Sequence, residues 1–88
     1  MRSQPAPGVS VNIGADGCLE LRSDSAVRPG VYRWAPVCTA MWIALRQHDG
    51  DIDAAARTLA SQWDTAPTDT RADLGIWVDE LRDAGLAY

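Results

Sequence analysis

The chain has 88 residues, room for one small domain and no second. Its apolar runs are far too short to cross a bilayer, and the opening "MRSQPAPG" lacks the apolar centre of a signal peptide, so a cytoplasmic protein with no membrane partner is expected. Net charge is −4, and all eight basic residues are scattered arginines, which argues against DNA or RNA as the main partner because phosphate binding needs a basic stripe.

Residues 1–8 carry two prolines, a Ser and a Gln, and read as a flexible N-terminal arm ahead of a single domain over 9–88. "VSVNI" alternates Val9, Val11 and Ile13 against Ser10 and Asn12, the period-two signal of a strand. Asp16-Gly17 is a hairpin cue, and "CLELR" alternates again, with Leu19 and Leu21 on one face. "SDSAVRPG" is a polar connection ending in the turn pair Pro29-Gly30. "VYRW" follows as a short third strand that stops before Pro36.

The period then becomes helical. Val37, Cys38, Met41, Trp42 and Leu45 form one stripe, with Pro36 in the first turn where its missing N–H costs nothing. Gly50 closes that helix, and Asp51 is placed to cap a second one carrying Ile52, Ala55, Ala56, Leu59, Ala60 and Trp63. "DTAPTDT" breaks the pattern. A third helix is expected from about Thr70 to Ala84, with Leu74, Val78 and Leu81 inward and Gly85 ending it. Three strands followed by three helices define an α+β domain, an antiparallel sheet with helices on one face, in a winged-helix-like arrangement.

No catalytic constellation emerges, and the chain is read as a non-enzyme. The seven glycines are dispersed and build no phosphate loop, and His48 sits in "RQHDGD", an apparent exposed turn. Asp79 and Glu80 are neighbours on a helix and so diverge. "DGDID" resembles a calcium loop only loosely, since its glycine comes too early and no closing Glu follows. Cys18 and Cys38 read as small apolar core residues, and two Cys with one His do not complete a four-ligand zinc site. No metal or cofactor is expected.

What remains is a binding surface. On a helical wheel Trp77 falls to one side of the inward line, grouped with Thr70, Asp73, Glu80 and Ala84, where it either stands partly buried at the margin of the core or caps the core beneath a neighbouring strand. A third strand at a sheet edge leaves backbone N–H and C=O groups unpaired, and beside such a helix it forms a groove for an extended peptide that adds as one more strand. Tyr32 and Trp34 are expected to face the helices.

The segments "DGCLEL", "GVYRW", "AMWIAL", "HDGDIDAAARTLASQW" and "VDELRDAGL" occur in an order and at spacings that resemble the PqqD-like family, the RiPP recognition elements, over Asp16 to Leu86. The stand-alone members from lasso-peptide clusters are the most similar. The resemblance implies a non-catalytic adaptor that takes the leader segment of a ribosomally made precursor peptide by strand addition and presents it to a leader peptidase and a cyclase. Carried over by position, the peptide-binding residues are Val31, Tyr32, Arg33 and Trp34 on the strand and Asp73, Leu74, Trp77, Glu80 and Leu81 on the third helix. Where the family has Leu-Asn, this chain has Trp34-Ala35. The alternatives are a carrier of the pyrroloquinoline-quinone type, a winged-helix DNA-binding regulator, and a structural subunit of a larger enzyme.

Overall fold

The computed structural model describes residues 2–24 and 29–88. Strands β1 (Val9–Ile13), β2 (Leu19–Ser23) and β3 (Gly30–Trp34) form one antiparallel sheet in the order β1-β2-β3. Helices α1 (Pro36–Gln47), α2 (Ile52–Trp63) and α3 (Pro67–Asp83) follow. This is the α+β architecture that the change of period predicts. The polar connection expected before Gly30 lies partly outside the described residues.

Alternation sorts the sheet's two faces. Leu19 and Leu21 are fully buried against the helices, while Arg22 points outward and pairs with Glu20. Their cross-strand partners Tyr32 and Trp34 share the inner face. So do Val11 and Ile13 of β1, yet each stays 48% exposed, because the helices cover β2 and β3 and, of β1, only Val9 packs against the core. The core joins Leu19 and Leu21 to Met41, Trp42 and Leu45 of α1, Ile52 and Leu59 of α2, and Leu74, Val78 and Leu81 of α3. Val37, expected on the α1 stripe, is half exposed. Thr39 Oγ1 donates to the Gly17 carbonyl at 2.6 Å and ties the first turn of α1 to the β1–β2 hairpin.

Helix ends follow local chemistry. Asp51 caps α2 by accepting from the Ala54 N–H. α3 begins a turn earlier than Thr70, because Pro67 occupies its first turn, where a proline starts a helix rather than breaking one. Thr70 is consequently buried inside the helix, its hydroxyl bonded to Thr65 and the Ala66 carbonyl. At the other end Gly85 takes φ +76°, and the Leu86 and Gly85 N–H groups return to the Leu81 and Arg82 carbonyls, a Schellman closure that drives Leu86 into the core.

The N-terminal segment is not the loose arm its composition implies. Ser3 N–H donates to the Gly50 carbonyl, Ala6 N–H to that of Leu86, and Gln4 and Tyr88 exchange a pair of backbone hydrogen bonds. Ser3 is buried. His48 also departs from expectation: it is half-buried at the α1 C-cap, with Nε2 2.7 Å from Thr58 Oγ1.

Candidate functional site: the open edge of the third strand

Backbone hydrogen bonding identifies which groups of β3 are free. Gly14 N–H donates to the Cys18 carbonyl and Asp24 N–H to the Gly8 carbonyl, so the β1–β2 ladder runs through Ser10–Arg22 and Asn12–Glu20. Leu19, Leu21 and Ser23 therefore turn their N–H and C=O toward β3, where they meet Trp34, Tyr32 and Gly30. Val31 and Arg33 are left with both backbone groups aimed away from β2, at an edge of the sheet that, among the described residues, has no further strand. Their side chains lie on the outer face, Val31 52% exposed and Arg33 paired to Asp16 at 3.8 Å.

Trp34 links this edge to α3. Its Nε1–H donates to Glu80 Oε1 at 3.2 Å, and its ring meets that of Trp77 edge-on, centroids 5.8 Å apart. Tyr32 stacks on Trp34 from the other side, with centroids 6.2 Å apart. Tyr32 and Trp34 form an apolar floor on the strand, and Trp77 of α3 is packed beneath Trp34 as its support.

The nine residues that the resemblance marks divide into two groups. Val31, Tyr32, Arg33, Trp34, Asp73 and Glu80 lie at the surface or are half-buried, around this floor. Leu74 and Leu81 are fully buried, and they reach a ligand only by supporting the floor from below. Trp77, expected at the core margin, is 4% exposed, because Trp34 covers it. Its Nε1–H is buried and has no hydrogen-bond partner among the described residues.

Other chemistry is sparse. Both cysteines are free and half-buried. The Cys18 thiol is pushed up by its hydrogen bond to Asp16, and the Cys38 thiol by burial and then by the Glu80 charge, so both stay protonated at neutral pH and neither is an activated nucleophile. Asp16 is held below the usual carboxylate range, first by the Cys18 N–H. Among the described residues, no group of three His, Cys, Asp or Glu side chains is placed to hold a metal ion, and no helix is long and apolar enough to cross a membrane. An open cleft of about 390 Å³ lies between α2 and the start of α3, lined by Asp53, Arg57 and Arg71 among others. It is far from the strand edge, and Arg71 is held there by Asp53 at 2.6 Å. A groove completed by an incoming strand need not be a closed cavity beforehand, so the strand edge is the stronger candidate.

The fold and its open edge define an α+β domain with one sheet edge beside a helix. No family model matches the sequence, and no curated protein is similar to it. Among solved structures, "Lasso peptide synthetase B1 complexed with the leader peptide" is similar over the whole chain, with a TM-score of 0.79 and 17% identity, covering 100% of this chain and 99% of that one. The likeness establishes a shared fold.

Proposed function

We propose that this protein is a non-catalytic adaptor of the PqqD-like type that binds the leader segment of a ribosomally synthesised precursor peptide, in a lasso-peptide system. The observation that carries the reading is the pair of unpaired backbone positions at Val31 and Arg33, set beside the Tyr32–Trp34 floor that Trp77 supports. A leader adding as a fourth strand satisfies those groups and lays alternate side chains on the aromatic floor and on α3. The leader-bound state of the structurally similar synthetase component supports the same reading. The bound leader is then offered to a leader peptidase and a cyclase.

A DNA-binding regulator is the weaker reading. In such a fold a recognition helix enters the major groove, and the exposed face of α3 carries Asp69, Asp73 and Glu80. The test is fluorescence anisotropy with labelled leader segments of precursors encoded beside this gene. Saturable binding at micromolar protein is expected, and its absence for every such leader overturns the proposal.

A further inference from the structure

This inference rests on the peptide-binding reading and adds the chemical class of the peptide. Wound at 100° per residue, Asp69, Asp73 and Glu80 of α3 fall within an arc of about 40°, flanked by Trp77 on one side and Ile76 on the other. Glu80 and Trp77 are the two positions that Trp34 touches, so this face borders the β3 groove. The two arginines of α3 lie on the opposite side of the wheel, where Arg71 holds Asp53 and Arg82 pairs with Asp79 and donates to the Arg2 carbonyl. Arg33, the cation of β3, projects from the outer face of the sheet toward Asp16. Among the described residues Asp73 has no ion-pair partner, and Glu80 accepts only the neutral indole N–H of Trp34.

The groove wall is therefore acidic and uncompensated, beside an aromatic floor and the 69%-exposed Ile76. An acidic guest side chain there meets like charge, a neutral one gains nothing from the carboxylates, and a basic one completes them. The net charge of −4 favours the approach of such a peptide as well. We infer that the segment bound along β3 carries at least one Arg or Lys that faces Asp73 and Glu80, next to an apolar or aromatic residue seated on the Tyr32–Trp34 floor.

The probe is a displayed library of random 15-residue peptides, selected against the folded full chain at moderate salt. The expected result is enrichment of Arg and Lys beside an apolar residue. A selected peptide should then bind about five- to tenfold more weakly to the Asp73→Asn, Glu80→Gln double variant, since exposed ion pairs are each worth only a few-fold. Glu80→Gln keeps an oxygen for the Trp34 N–H, so the floor stays intact. Asp64→Asn, which alters an acid at the α2 C-cap, should leave affinity unchanged, and Val31→Pro should lower it at least about tenfold, locating the peptide at β3. Enriched peptides that lack basic residues, or that bind the double variant equally well, overturn the charge inference and leave peptide binding standing. Recovery of no peptide overturns both.

Discussion

Trp77 carries two burdens that its place in the sequence does not disclose. It is packed beneath Trp34 in the core, and its indole N–H has no partner among the described residues. Truncation should therefore act on stability before it acts on binding: Trp77→Ala is expected to cost about 3–5 kcal/mol in urea denaturation. That is a large share of the roughly 5–15 kcal/mol typical of a folded domain. Trp77→Phe keeps the ring contact and removes the orphan donor, so it should cost at least about 2 kcal/mol less. Asp51 gives a prediction in pH. The Ala54 N–H, and to a lesser extent the Arg2 charge, hold its carboxyl below the ordinary range. A carboxylate depressed in the folded state stabilises above its unfolded pKa, and that contribution is lost as pH falls through the folded value. Asp51→Asn keeps a capping oxygen without the charge. The stability gap between wild type and Asp51→Asn, followed by thermal melts, should be open at pH 6–7 and close below about pH 4.

At the scale of elements, β3 and β1 are both edges, but only β3 has a helix beside it. A proline at Val31 removes a free edge N–H and leaves the β2 ladder intact, because that ladder runs through Tyr32 and Trp34. Val31→Pro should lower leader affinity at least about tenfold with an unchanged far-UV circular dichroism spectrum, because it deletes a backbone bond at the centre of strand addition. Val11→Pro makes the same change on β1 and should leave leader affinity within about twofold. Equal losses for both variants would place the peptide elsewhere. These elements were largely legible beforehand, since alternation marks the strands and the 3.6 period marks α1 and α2. The start of α3 was not, because a proline reads equally as a helix stop and as a first helical residue, and only the chain's path decides. The burial of Trp77 was legible only as one of two alternatives. A wheel puts it at the edge of the inward line, and the ring of Trp34, which arrives from a strand 43 residues earlier in the chain, decides for burial.

For the molecule as a whole, the segment Arg2–Ala6 acts as a clasp. It joins the Gly50 turn to the residues after α3 through backbone bonds, which leave no trace in side-chain periodicity, and so its composition read as a loose arm. Among the described residues four backbone hydrogen bonds tie it to distant parts of the chain: Ser3 to Gly50, Ala6 to Leu86, and the pair between Gln4 and Tyr88. At the usual net worth of such bonds, deleting residues 2–6 should cost about 2–5 kcal/mol, measured by the shift of the urea midpoint at constant slope. Leader affinity per folded molecule should be unchanged, because the clasp bonds to Arg82, on the face of α3 opposite the acidic stripe. Gly50 is part of the same arrangement. Its φ of +82° and its contact with the Ser3 carbonyl leave no room for a side chain.

Because Gln4 and Tyr88 meet, the backbone comes close to a closed ring whose seam lies behind the groove. A dye, surface tether or fused enzyme joined at either side of that seam would stand clear of β3. The same closure makes the domain suited to circular permutation, with the seam ligated and new ends opened in another loop, or to insertion as a cassette into a host protein.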